Sequence, residues 1–262
     1  MTDDIPSEIL QVRYEGAIAI MTLNNPRRLN AFNWAMRSSM YERLLEIESN
    51  SECRAIVLTG AGGNLCAGGD ISEMKRREII EARMRTDLAT RIFKLLVTGP
   101  KPFVCAVEGN AAGAGVSFVA ASDYAVAASD ARFSCAFIKV GLMPDVGAIW
   151  SLPRKVGHRK AMQLCAFAES FDAQEALAMQ LINRVCAPGE ALTAALEAAE
   201  KFARNPPVAM ALMKSALNGG NDSLERAIAT ETDYQSVLMN TEDFAAAAQA
   251  FLEKRQPTFK GR

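Results

Sequence analysis

The chain has 262 residues, with 29 basic and 30 acidic side chains and one histidine. Half of it is apolar and 23% is charged. That is too apolar for a disordered chain and too neutral for a nucleic-acid-binding one. The lone histidine excludes multi-histidine metal sites and leaves only His158 for a serine–histidine–aspartate arrangement.

Met1-Thr-Asp-Asp-Ile-Pro6 lacks the basic and apolar regions of a signal peptide, so the cytoplasm is the expected location. Residues 9–14 and 18–23 read as two short strands, broken by Glu15-Gly16. Asn24-Asn25-Pro26 marks a turn. Residues 34–47 carry Met36, Met40, Leu44 and Ile47 at helical spacing. Residues 55–59 form an apolar strand that ends in Gly60-Ala-Gly-Gly. A helix follows over about 81–97. A strand at 103–107 leads into a glycine-rich run, 109–115, and a short apolar helix, 116–121. Residues 124–128 and 132–135 read as further strands. Glu108, Asn110 and Asp123 interrupt the most apolar stretch, 102–128, so no membrane span is predicted.

This strand–helix alternation predicts an α/β core. Its strands are apolar almost throughout, as parallel strands covered on both faces should be. From about residue 191 the pattern becomes helical: 191–204, 208–218, 223–239 and 242–252. Asp222-Ser-Leu-Glu resembles a capping run for the third of these. The expected organisation is a core over residues 1–200 and a C-terminal helical region over 201–262, with a basic tail from Lys254. The six cysteines, at 53, 66, 105, 135, 165 and 186, never lie within three residues of one another. They read as reduced, partly buried thiols rather than a redox or zinc motif.

Several motifs are absent. Leu65 occupies the final-glycine position of a dinucleotide fingerprint, and no Gly-Lys-Ser/Thr phosphate loop exists. Ser117 lies in Gly115-Val-Ser-Phe-Val, outside a nucleophile elbow. His158 reads as a surface residue at a helix start. Two glycine-rich turns remain, Cys66-Ala-Gly-Gly-Asp-Ile71 and Gly109-Asn-Ala-Ala-Gly-Ala-Gly115, each placed after an apolar strand. Such turns let backbone approach a ligand, and the second opens a helix whose free N–H groups point at one spot. Two such donors suit a developing oxyanion; two tight turns packed on each other would look the same. The third feature is Asp145, alone in Val140-Gly-Leu-Met-Pro-Asp-Val-Gly-Ala-Ile-Trp150. Walled by Leu142, Met143, Val146 and Trp150, it would be desolvated, with a raised pKa suited to a general base. It could equally be the N-cap of the next helix.

These segments, in this order, resemble the crotonase (enoyl-CoA hydratase/isomerase) superfamily. The likeness starts at Leu23-Asn-Asn-Pro-Arg-Arg-Leu-Asn-Ala31 and passes through Ala55-Ile-Val-Leu-Thr-Gly60 and Lys101-Pro-Phe-Val-Cys-Ala-Val-Glu-Gly109. It ends at Phe251-Leu-Glu-Lys-Arg255. It implies a spiral of ββα units with a C-terminal helical trimerisation region, assembly as a homotrimer or hexamer, and an acyl-CoA thioester substrate. It implies no metal or separate cofactor, since coenzyme A is part of the substrate, and no nucleic-acid or membrane partner. The residues matching the family's enolate-holding N–H pair are Gly69 and Ala114. The second is commonly glycine, and alanine keeps the N–H. Coenzyme A would be gripped by Arg28 and Ala31, by Ala67, Gly68, Asp70 and Ile71, and by Lys254 of the tail, which would reach the phosphates on its own or on a neighbouring subunit. Ser117, Phe137 and Tyr234 are candidates to line the acyl pocket.

Hydratases of the superfamily carry two glutamates, and their positions here hold Ser117 and Phe137. Asp145 occupies the position of the isomerases' lone carboxylate. In pattern the chain resembles most the members that isomerise epoxyphenylacetyl-CoA or Δ3,Δ2-enoyl-CoA. The expected activity is therefore acyl-CoA isomerisation, in fatty-acid or phenylacetate breakdown. The rivals are a weak hydratase, an aryl-CoA dehalogenase, which would need a histidine base, and a non-catalytic acyl-CoA-binding protein.

Overall fold

The computed structural model describes residues 8–219 and 223–262. Its main sheet is formed by β1 (Leu10–Glu15), β2 (Ile18–Leu23), β3 (Ala55–Gly60), β4 (Phe103–Val107), β6 (Tyr124–Ala128) and β9 (Arg184–Cys186), in the order β1-β2-β3-β4-β6-β9. The β1–β2 hairpin is antiparallel and the remaining pairings are parallel. A smaller sheet joins β5 (Asn110–Ala112), β7 (Arg132–Ser134) and β8 (Ser170–Asp172).

The inner strands β2, β3, β4 and β6 are apolar almost throughout because both faces are covered. Alternate residues of β2, β3 and β4 divide between two cores, as the two-residue period of a strand requires. Ala19, Met21, Ile56, Leu58, Phe103 and Cys105 face one core, which also holds Met36, Met40, Leu44 and Ile47 of α1 (Trp34–Ser49). It also takes in Ile92 and Leu96 of α2 (Ile79–Thr98) and Phe118 of α3 (Ala114–Ala121). Ile18, Ile20, Ala55, Val57, Val104 and Ala106 face the other, against Ala191, Ala194, Ala195 and Ala199 of α7 (Ala191–Ala203). An alanine stripe lets that helix lie close to the sheet. The register agrees: Ile56 pairs with Phe103 and Leu58 with Cys105 on one face, and Val57 with Val104 on the other.

Between β7 and α7 the chain forms α4 (Ala148–Val156), α5 (His158–Phe167) and α6 (Ala173–Ala178), with β8 and β9. The sequence signalled a helix after Asp145 and one starting at His158; it did not signal the short β8, α6 and β9. The expected boundary at 200/201 falls inside α7, which runs on to Ala203. After it come α8 (Pro207–Asn218), α9 (Leu224–Leu238) and α10 (Glu242–Leu252). The expected capping run begins at Asp222, outside the described residues. Ser223 is the cap, accepting from the Arg226 N–H at 3.3 Å. Lys214 fastens α8 to the core. Its buried ammonium donates to the carbonyls of Leu96 and Lys101 and pairs with Asp123 at 2.7 Å. No described helix is long and apolar enough to cross a membrane.

Candidate active site

Beyond Gly60 the chain turns and runs beside β5. The Leu65 N–H donates to Glu108 O, the Cys66 N–H to Asn110 O, and the Ala112 N–H to Cys66 O. This parallel bridge between Cys66 and Ala111 lays the two glycine-rich turns side by side. Their contact is backbone on backbone. A Cβ at Gly115 would meet Cys66 O at 2.5 Å, and one at Gly113 would meet Gly68 Cα at 3.3 Å. Gly68 (φ +102°) and Gly113 (φ +49°) also hold conformations that suit glycine.

The second turn differs from its expected form. Residues 110–112 are a strand, held by pairing with β7, and the helix begins at Ala114 rather than residue 116. Ala114 is thus the first helical residue, and its N–H has no intrahelical acceptor. Among the described residues neither the Ala114 N–H nor the Gly69 N–H donates a hydrogen bond. Both residues line one cleft of about 290 Å³.

Segment 28–32 closes the rim. The Ala67 N–H donates to Leu29 O and the Phe32 N–H to Gly68 O. The Asn30 amide, fully buried, donates to the carbonyls of Ala61 and Asn64 and accepts from the Asn25 N–H. Arg28 reaches to 3.8 Å from Asp70. The rim therefore gathers Arg28, Ala31, Ala67, Gly68 and Asp70. Ala67, Gly68, Asp70, Ile71 and Phe137 line the cleft itself.

Asp145 lines the same cleft and borders a second, more apolar cavity of about 610 Å³ beside Phe93 and Trp150. Val146 (φ +47°) and Gly147 (φ +73°) form the tight turn that presents it. A Cβ on Gly147 would sit 2.2 Å from the Phe93 ring, so only glycine fits there. Gly147, not Asp145, is the N-cap residue of α4; the Asp145 carbonyl accepts the Ala148 N–H, and its carboxylate caps nothing. Burial pushes its pKa above the usual aspartate range, and the nearby Arg37 guanidinium partly opposes that shift. Leu142 and Met143 are 50% and 65% exposed, so the wall around Asp145 is more open than the sequence suggested.

Three carboxylates line the cleft, and two are committed elsewhere. Asp70 accepts from the Ser72 N–H at 2.9 Å and from its hydroxyl at 2.6 Å. Glu73 accepts from the Trp34 N–H, at the start of α1, and pairs with Arg85. Asp145 has no ion pair among the described residues.

Three expected residues lie elsewhere. Ser117 is wholly buried and does not line the cleft. Its hydroxyl donates to Asp145 O at 3.0 Å, with Gly113 O at 3.3 Å, which ties the Asp145 turn to α3. Tyr234 sits on α9 with its hydroxyl 3.3 Å from that of Ser215 on α8, away from the cleft. Lys254 is an exposed residue just past α10, and the tail beyond it folds back on its own chain. Asp243 there accepts the Lys260 and Gly261 N–H groups, and Arg54 donates to Phe259 O. Arg54 immediately precedes β3, so this stretch of tail lies at the end of the sheet opposite the cleft. His158 opens α5, exposed. The six cysteines are free.

Sequence reasoning missed Arg37, Glu73 and Arg85. None of the three gave a sequence signal, since charges beside an apolar helix stripe are ordinary.

A family profile described as enoyl-CoA hydratase/isomerase matches residues 13–262. The chain is 39% identical to a short-chain-enoyl-CoA hydratase of Clostridium acetobutylicum, over 95% of this chain and 96% of that one. It is 34% identical to a 1,2-epoxyphenylacetyl-CoA isomerase of Escherichia coli, over 97% and 99%. Among solved structures, an enoyl-CoA hydratase from Polaromonas superposes with a TM-score of 0.91 at 34% identity, over 96% and 99% of the two chains.

Proposed function

The chain belongs to the enoyl-CoA hydratase/isomerase family, and from that premise we propose that it is an acyl-CoA isomerase. The observation that carries this reading is the single uncommitted carboxylate, Asp145, in a cleft with two free backbone N–H groups. On a 3-enoyl thioester, ionised Asp145 removes a proton from C2. The electron pair moves into the thioester carbonyl, and the Gly69 and Ala114 N–H groups hold the resulting enolate oxygen. The protonated carboxyl returns the proton at C4, the double bond shifts to C2–C3, and the enzyme ends as it began. A ring-epoxide thioester would use the same enolate. In comparable sites one oxyanion donor contributes roughly 3–4 kcal/mol. Backbone N–H groups and one carboxylate supply every proton and charge these steps require, so the reading calls for no further cofactor.

Adding water needs a second acid–base group. At the two positions where hydratases carry glutamates, this cleft meets the Phe137 ring, while the Ser117 hydroxyl is bound to two carbonyls. The 39%-identical relative named as a hydratase supports hydration as the second reading. A dehalogenase would need a base that exposed His158 does not supply. Assembly as a trimer or hexamer is part of the proposal. Exposed Leu224, Ile228, Phe244 and Phe251 on the C-terminal helices support self-association.

The test is Asp145→Asn assayed with 3-hexenoyl-CoA and crotonyl-CoA. Isomerisation should vanish while a saturated acyl-CoA still binds. Full activity in that variant overturns the isomerase reading, and rapid hydration of crotonyl-CoA by the unmodified protein favours the second.

A further inference from the structure

Arg37 projects from α1 into the cleft. Its Nε donates to Phe32 O at 3.2 Å, its Nη1 donates to Arg85 O at 3.3 Å, and the guanidinium lies over the Phe32 ring at 5.1 Å. These contacts hold the group rigidly but bring no negative charge to it. Among the described residues Nη2 donates no hydrogen bond and no carboxylate is within ion-pair distance. Of the other cleft cations, Arg85 pairs with Glu73 and Arg77 with Glu81, and Lys75 is exposed to solvent rather than half-buried.

A half-buried cation without an anionic partner is costly, and desolvation does lower its pKa. A planar guanidinium with free N–H groups is the side chain best shaped to take a carboxylate. Arg37 lines the same cleft as Asp145, and the two charges interact. Arg28, beside Asp70, does not line the cleft, whereas Arg37 does. Its position therefore suits the acyl end of a substrate rather than the phosphates of coenzyme A.

We propose that Arg37 is a specificity-determining residue that receives a carboxylate at the far end of the acyl group, so that the preferred substrates are mono-CoA thioesters of dicarboxylic acids. This rests on the reading above, in which the thioester oxygen sits at Gly69 and Ala114.

Binding to saturated thioesters tests it without depending on turnover. Glutaryl-CoA and adipoyl-CoA are compared by calorimetry with pentanoyl-CoA and hexanoyl-CoA. At one chain length or both, the dicarboxylic member should bind about 10-fold tighter, the scale of a charge-assisted hydrogen bond. Arg37→Gln should bring that ratio close to one, and Arg37→Lys should keep part of it. Absence of preference in the unmodified protein overturns the proposal, as does a preference that survives Arg37→Gln. If Arg37 serves only as counter-ion to Asp145, neither pair discriminates, which also overturns it. Discrimination without isomerisation of any 3-enoyl thioester would leave the subsite standing and remove the isomerase reading alone.

Discussion

The two working walls of the cleft are made of different material. At Gly68, Gly69, Gly113 and Ala114 the wall is backbone, and its donors are N–H groups that any residue but proline would carry. Across from it, Asp145 is a side chain on a turn held by Val146, Gly147 under Phe93, and the Ser117 hydroxyl. The first wall depends on how closely two loops approach; the second depends on one carboxylate. Substitutions should therefore fail differently on the two sides. On the backbone wall the damage should scale with bulk, and on the acid wall with the loss of a proton-accepting oxygen.

The largest effect should come from Asp145→Asn. Under the proposed mechanism, loss of this general base should lower kcat for isomerisation by about 10²–10⁴-fold, the range for such groups, with acyl-CoA affinity retained. Steady-state kinetics and calorimetry check both parts. Next, Gly113→Val would force a branched side chain into positive φ and against Gly68. Misplacing one oxyanion donor should lower kcat by about 10²–10³-fold. Gly113→Ala should be the milder of the two, and equal losses would contradict the steric account.

Ser117→Ala joins the two walls, because it removes the bond from α3 to the Asp145 carbonyl. About 1 kcal/mol of stability should be lost, the usual worth of such a bond, with a few-fold drop in kcat; unchanged melting and rate would show that the tie is idle. The smallest effects concern pH. Burial favours protonated Asp145, so ionised Asp145 weighs against the fold at neutral pH, and that cost fades as pH falls through its raised pKa. Asp145→Asn should then melt slightly higher at neutral pH while being inactive. The acid limb of kcat/KM, which needs the ionised form, should lie above the ordinary aspartate value of about 3.9. A limb at or below that value would contradict the desolvation.

What was legible in the sequence follows the same division. The strands and glycine turns that build the backbone wall were visible as local signals, with most strand edges within a residue or so, but the turns alone left open whether they hold a ligand or only pack on each other. Asp145 stood out for the same reason, as one charge in an apolar run. Arg37 and Glu73 did not, since each reaches the cleft through contacts far along the chain, Arg37 to Arg85 and Trp34 to Glu73. Ser117 shows the limit of reading a position by family pattern. It stands where a catalytic glutamate would be, yet it turns inward to two carbonyls and holds the acid in place instead of lining the pocket.

The most direct test of the central claim is product analysis by NMR, with the unmodified protein given 3-hexenoyl-CoA and 2-hexenoyl-CoA in separate reactions. A cleft with one free carboxylate and two backbone donors predicts interconversion of the two enoyl thioesters and little 3-hydroxyhexanoyl-CoA. Rapid formation of the 3-hydroxyacyl product from 2-hexenoyl-CoA, undiminished by Asp145→Asn, would contradict it.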